Sequence, residues 1–386
     1  MPSELRVDKI SSTTSPYDPV FSTTGGALSH RNLIINGAMQ VAQRGTSISD
    51  AADYTLDRFK TYQGFSNQDV TVSQEKDAPD EFKYSLKATC AVADGSAVAD
   101  EYFGLATTLE VDDVAHLLWG NATHCTVSFW VKASFTGTLA LNFNPDETNS
   151  GMSNDRLLYS TTYNINAAST WEYKTVTIPL SFLSSYAPLN SAGNLKGLEI
   201  SWILDMISGG DRDNSTLGWN STEARNMTTH SSATDTGFNT LNATFQITGV
   251  QLELGSVATP FEHRSFGEEL DRCQRYYQKS YSIGVAPGAS GANDGAISTR
   301  YYASVTNRMD ASARFNKSMR TQPTVVIYDT QGNSGNVSNY ASGTNHTGNK
   351  GVSSIYHRGE NGWSGLTLAA ATDNSIVFHY TAEAEL

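Results

Sequence analysis

Thr126-Val-Ser-Phe-Trp-Val-Lys132 places Val127, Phe129 and Val131 on one face of an extended chain and Ser128, Trp130 and Lys132 on the other. Gly197-Leu-Glu-Ile-Ser-Trp-Ile-Leu-Asp205 repeats the device, with Leu198, Ile200, Trp202 and Leu204 sharing a face. Thr138-Leu-Ala-Leu-Asn-Phe143, Glu172-Tyr-Lys-Thr-Val-Thr-Ile178 and Ala243-Thr-Phe-Gln-Ile-Thr-Gly-Val-Gln-Leu-Glu253 read as further strands. Between Asn32 and about Arg264 these strands recur, joined by long polar connections with no helical period between them. That pattern predicts a mainly β chain whose first large unit is a jelly-roll β-sandwich.

Composition agrees. The chain has 386 residues, enough for two or three domains at roughly 150 residues each. Its formal net charge is −13, a sign that disfavours nucleic acid and anionic membranes as partners. Charged residues make up 17% of the chain, against about 25% in an average soluble domain, and Ser, Thr, Asn and Gly take their place. Cys90, Cys125 and Cys273 form neither a CxxC pair nor a metal-type cluster with the eight histidines, and read as buried apolar residues. The first residues lack the apolar segment of a secretory signal, and no run approaches the roughly 18 apolar residues of a membrane helix. The expectation is a chain made soluble in a cytoplasm, with no membrane insertion.

Four parts follow along the sequence. Residues 1–30, punctuated by Pro2, Pro16, Pro19 and Gly25-Gly26, form an arm unable to bury its own surface. Within it Leu5, Val7 and Ile10 lie in a solitary strand-like stretch that needs a partner edge. Residues 31–265 are the sandwich. In 266–282, Phe266, Leu270, Cys273 and Tyr277 are spaced 4, 3 and 4, heptad spacing for about two heptads. Such a helix is either a three-helix neck at a trimer axis or an amphipathic helix lying on its own sandwich, because one this short needs packing to persist. Residues 283–386 read as a second β domain, with strands at 298–305, 324–329, 366–370 and 375–380. Its seven acidic and seven basic residues cancel, so the acidity lies upstream. The Gly/Ser/Asn-rich stretch Thr330–Gly351, containing Tyr340 and His346, reads as a recognition loop, with His357 and Trp363 beyond it.

The opening Asn32-Leu-Ile-Ile-Asn-Gly-Ala-Met-Gln40 and the closing Phe245-Gln-Ile-Thr-Gly-Val-Gln-Leu-Glu-Leu-Gly255 resemble the first and last strands of jelly-roll carbohydrate-binding modules. That resemblance implies a calcium ion between the two ends. Gln40 and Thr248-Gly249 stand where carboxylates are expected, however, and neutral ligands hold Ca²⁺ poorly, so no metal or other cofactor is expected. With Leu5–Ile10, Tyr54-Thr-Leu-Asp-Arg-Phe59, Gly249–Arg264 and Glu268-Glu-Leu-Asp-Arg-Cys-Gln-Arg-Tyr-Tyr277 added, the whole chain resembles bacteriophage tail-fibre proteins. So do Arg314–Thr324 and Tyr380–Leu386 in the last domain. The resemblance implies a homotrimer in the virion tail, synthesised in the host cytoplasm. Its arm would join other tail or portal-proximal proteins and its distal part would meet host surface polysaccharide. It also tips the short helix toward the trimer neck.

Chemistry is harder to find. A glycan hydrolase needs two carboxylates about 5 to 9 Å apart, and the available pairs have ordinary explanations. Asp112-Asp113 lies at an expected turn, and Glu268-Glu269 opens the helix, where its dipole favours negative charge. Asp211-Arg-Asp213 begins like a calcium loop but has Thr216 for the central glycine and Thr222 for the closing glutamate. No nucleophile elbow, phosphate loop or HxxxH spacing occurs. The chain is read as non-enzymatic. For sugar binding an aromatic ring is needed beside polar groups. Trp219, near Asp211, Arg212, Asp213 and Asn220, and Trp363, beside Asn361 and Ser364, rank first, followed by Trp130 and Tyr340. Each has the alternative of covering a loop or a trimer contact. The expectation is a fibre that attaches the virion to host glycans multivalently. The alternatives are a purely structural virion component (head fibre, connector or decoration) and a glycan depolymerase.

Overall fold

The computed structural model describes residues 30–49, 53–118, 122–145, 157–181, 194–207, 213–214, 217–220, 229–230, 237–299, 308–340, 346–369 and 375–386. Leu5, Val7 and Ile10 of the arm lie outside them. In chain order the first elements are β1 (Ser47–Ile48), β2 (Phe59–Gln63), β3 (Asp69–Glu75), β4 (Ser85–Val92), β5 (Tyr102–Glu110), α1 (Val111–Leu118), β6 (His124–Ala133) and β7 (Gly137–Pro145). There follow β8 (Leu158–Ile165), β9 (Glu172–Pro179), β10 (Lys196–Met206), β11 (Asp213–Asn214), β12 (Gly218–Asn220), β13 (Thr229–His230) and β14 (Thr244–Leu254).

Two antiparallel six-stranded sheets form, in the orders β1-β3-β4-β14-β6-β9 and β12-β8-β7-β10-β5-β2. Every neighbour in the first sheet except β3-β4 is distant in sequence, as a jelly roll requires. The alternation read from the sequence is what closes the sandwich. Val127, Phe129 and Val131 of β6 face Ile200, Trp202 and Leu204 of β10, all fully buried. Phe129 meets Trp202 edge-on at 5.7 Å, the favoured geometry for two quadrupoles. Asp112 and Asp113 correct one expectation: they occupy the first turn of α1, not a turn. Val111, Val114, Leu117 and Leu118 bury one helical stripe. Gly197 admits that helix, since a Cβ there would come within 2.6 Å of Val111 Cα.

The second unit comprises α2 (Phe266–Cys273), β15 (Tyr277–Lys279), β16 (Ile297–Thr299), β17 (Arg308–Arg314), β18 (Thr324–Tyr328), β19 (Asn336–Tyr340), β20 (His346–Ile355), β21 (Gly362–Leu368) and β22 (Ser375–Glu383). β22 is its hub: β15 and β18 flank its second half, β16 and β19 its first. Its core is Met319, Ile327, Val337, Trp363, Leu366, Phe378 and Tyr380. The stretch read as a recognition loop is largely two strands, β19 and β20, paired from Asn336↔Gly351 to Tyr340↔His346. Gly, Ser and Asn are weak strand formers, but β22 supplies a template that their own propensity does not.

The helix is shorter than the expected two heptads. The helix stops at Cys273, two turns after its cap, where Ser265 Oγ accepts the Glu268 amide. Tyr277 lies in β15, paired with Glu383, rather than on the helix. Cys273 and Tyr277 are buried within the chain, Leu270 is half-buried, and Phe266 is 45% exposed. The helix rests on the sandwich through Glu269, which accepts the Asn36 amide.

A buried ionic joint holds the two units together. The Arg58 guanidinium, 1% exposed, lies 3.4 Å from the Tyr276 ring centre and pairs with Glu385, and it also donates to Thr108 O. Arg44 pairs with Glu383 at 3.1 Å and Glu385 at 3.0 Å. Glu110 receives two hydrogen bonds of 2.7 Å from Arg275 and one of 2.5 Å from Tyr276 Oη. Arg320 caps the carbonyls of Ala384 and Glu385.

Candidate functional site

The residues behind the family resemblance serve this architecture. Asn32 Oδ1 accepts the amides of Ile34 and Leu252, and its Nδ2 donates to Val250 O. A Cβ on Gly37 would stand 2.1 Å from Val250 O, so only glycine lets the opening and closing segments touch. Glu253 accepts from the Thr259 amide and hydroxyl, and Glu262 from the Asn32 amide at 2.8 Å. Arg264 donates to Ile34 O, and Glu269 accepts the Asn36 amide. These carboxylates are engaged by protein donors.

The outer face of the first sheet differs. Trp130 on β6 and Tyr173 on β9 are direct cross-strand partners, with ring centroids 5.3 Å apart. Tyr173 is 43% exposed and Trp130 half-buried. Trp171 precedes β9, and the Lys132 ammonium lies 5.2 Å from its ring centre. Asp77, before β4, accepts from Lys132, from Gln246 Nε2 at 3.2 Å and from Trp171 Nε1 at 3.3 Å. Those hydrogen bonds, the Lys132 one first, hold its carboxyl below the ordinary range.

The turn carrying Trp171 is fixed by Glu172. Its carboxylate accepts the amides of Asn166 and Ala167, Asn166 Nδ2 and, at 2.6 Å, Lys174 Nζ. Partial burial works to raise its pKa, but those bonds outweigh it and bring the value down to about 2. On the other flank, Gly249 adopts φ +62° at the bulge of β14. A Cβ there would meet Phe82 Cζ at 2.6 Å and Trp130 Cδ1 at 3.1 Å. The glycine thus lets Phe82, edge-on to Phe261 and tilted against His263, extend the aromatic strip past Trp130. Partly exposed rings rimmed by a cation, an amide and a carboxylate suit a flat ligand with one apolar face and hydroxyls at its edge.

Of the aromatic residues singled out in the sequence, Trp130 alone belongs to this face. Trp219 sits on the edge strand β12, its indole donating to Pro179 O at 2.6 Å and its ring packed on Phe143 and Tyr159. Trp363 is 3% exposed, between Phe378 and Tyr380. Its expected role as an open stacking residue is therefore corrected: β21 turns it into the second core. Asp211 and Arg212 lie outside the described residues. Asp213 belongs to the short β11 and Tyr340 ends β19, both apart from the Trp130 face in the sheet order. Trp171, Tyr173, Asp77, Lys132 and Gln246 were missed as a group. One signal was present: Tyr173 is out of phase with Val176 and Ile178, so it points away from the core.

No protein-family model matches the sequence, and no curated protein sequence does. Among solved structures, a family 11 carbohydrate-binding module from Clostridium thermocellum, in complex with a β-1,3-1,4-mixed-linked tetrasaccharide, is similar at 13% identity, covering 55% of this chain and 98% of its own, with a TM-score of 0.27. The N-terminal cellulose-binding domain of Cellulomonas fimi β-1,4-glucanase C is similar at 13% identity over 56% of this chain and 100% of its own, with a TM-score of 0.27. The enzymatically active domain of bacteriophage CBA120 tailspike protein 4 is similar at 15% identity over 58% of this chain but 21% of that one, with a TM-score of 0.28. Likenesses at these scores carry no weight for activity, and the jelly-roll assignment stands on this chain's own sheet order.

Proposed function

We propose that this chain is a structural and adhesive protein of a phage tail fibre, non-enzymatic and homotrimeric, that attaches the virion to host-surface glycans through the outer face of its first sheet. The observation that carries the adhesive part is the Trp130–Tyr173 pair, two adjacent rings held by strand register with polar side chains at their rim. The fibre assignment is supported by the ordered sequence motifs. The arm carrying Leu5, Val7 and Ile10 would dock on other tail or portal-proximal proteins. On α2, Phe266 and Leu270 retain surface for subunit contact. Single sugar contacts are weak, and three copies per fibre raise avidity by orders of magnitude without new contacts.

The test is a glycan array probed with the full chain, with Trp130→Ala/Tyr173→Ala beside it and light scattering on both. A trimer that binds particular glycans, and loses them in the double variant at unchanged mass, supports the reading. Equal binding by the variant overturns the site. A second reading, a purely structural virion component, is favoured by Trp219 and Trp363 both packing internally. It predicts a trimer that binds no glycan.

A further inference from the structure

Asp77 is bound in an unusual way for a surface aspartate. Its donors come from three separate elements: Lys132 from β6, Gln246 from β14 and Trp171 from the turn before β9. Lys132 and Gln246 are cross-strand partners, and Gln246 Oε1 lies 3.2 Å from Ser85 Oγ. Lys87, paired with Gln246 on the other side, puts a second cation in the same row, about 10 Å from the first at two inter-strand spacings. The donors are set into the sheet, with the Lys132 side chain 15% exposed, whereas the Asp77 side chain is 51% exposed at the rim. A fixed set of donors is thus satisfied by a peripheral anion.

We propose that Lys132, Gln246 and Trp171 form a carboxylate cradle at the edge of the aromatic platform, that Asp77 fills it as an internal plug, and that the sugar bound here is acidic, a uronate or similar carboxylated residue that displaces Asp77. The inference rests on the reading of this face as a glycan platform and adds its ligand class and its gate. A uronate presents the same two-oxygen acceptor as Asp77, one bond from a pyranose ring that the neighbouring rings of Trp130 and Tyr173 can cover. Charge-assisted hydrogen bonds from Lys132 would select it over a neutral sugar. The Asp77 backbone is anchored independently, since its carbonyl accepts Ser85 Oγ at 2.7 Å, so the side chain can leave without the loop.

The experiment measures binding of the full chain to polygalacturonate, alginate and hyaluronate, each beside its methyl-esterified form, which keeps the backbone and removes the charge. The wild type is expected to prefer the acids, and added salt to weaken that preference. Asp77→Ala should tighten binding to the acids by about tenfold, the factor that follows if the plug is in place nine-tenths of the time. Lys132→Met should abolish the preference for acid over ester. Acids and esters bound alike, or Asp77→Ala weakening or not changing acid binding, overturns the cradle. Neutral glycans bound through Trp130 with acids ignored would overturn this inference and leave the platform standing. Binding of no glycan by the wild type sinks both.

Discussion

Replacing Arg58 by methionine tests whether the ionic joint holds the two units together. Arg58 and Glu385 are 1% and 5% exposed, so neither charge has water to fall back on. Removing the guanidinium leaves Glu385 with Arg44 alone, and frees the Tyr276 ring face and Thr108 O. Breaking a buried pair by deleting one partner costs about 3–5 kcal/mol, and Glu385→Gln falls in the same range because it strands Arg58. The double variant should fall short of the summed costs by about 1–3 kcal/mol, since the second substitution removes a charge already stranded. A chain with two units need not unfold in one step, so the readout should be local. The Asn36 amide of the sandwich donates to Glu269 of α2 across the joint, and its hydrogen exchange reports that opening. Each single variant should speed this exchange by about 2.2 to 3.7 powers of ten, at 1.36 kcal/mol per decade. Strict additivity, or exchange at Asn36 unchanged in Arg58→Met, would refute the claim that this pair joins the units.

Gly249→Ala should displace Phe82 and Trp130 and cost about 1–3 kcal/mol, with glycan binding falling more than urea stability. Trp363→Ala should cost about 3–5 kcal/mol as a core deletion, and any adsorption defect should track the unfolded fraction; loss of adsorption by a fully folded variant would restore Trp363 as a contact. The Glu172 carboxyl, observed by carbon NMR, should titrate near about 2 rather than at its ordinary 4.5. Its folded value lies below the unfolded one, so its contribution is present above pH 4.5 and lost as pH falls toward 2. The turn carrying Trp171 should loosen over that window, visible in the indole resonance. Phe266→Ser, at an exposed position of α2, should lower the mass seen by light scattering if that helix joins subunits.

The fold class was legible because alternation is a strong signal over five or more residues, and β6, β10 and β14 each show it. What failed was local propensity read alone. Residues 330–351 look like a loop because Gly, Ser and Asn carry little strand preference, yet β19 finds an edge on β22 and β20 pairs with β19. The 4, 3, 4 spacing of Phe266, Leu270, Cys273 and Tyr277 fits a helix, but nothing in that spacing says that Tyr277 has already entered β15. Trp363 stands among Asn, Gly and Ser in sequence, and the neighbours that bury it, Phe378 and Tyr380, are on another strand. The platform was illegible for the same reason: Trp130, Tyr173 and Asp77 lie on β6, on β9 and before β4, and only register brings them together.

That contrast bears on what the resemblance can transmit. Asn32, Gly37, Arg58, Glu253, Glu262 and Arg264 spend their polar groups on other parts of the same chain, tying the opening strand to the closing one and both to α2 and β22. A chain that keeps this set keeps its sandwich docked on its second β unit, whatever lies on the outer face. The residues of that face are under no such constraint: Trp130, Lys132 and Tyr173 point outward from strands whose inward residues already fix the fold. Replacing them changes what the surface meets without changing how the chain folds. Shared motifs therefore speak for architecture, and ligand choice has to be measured on the side chains that the motifs omit.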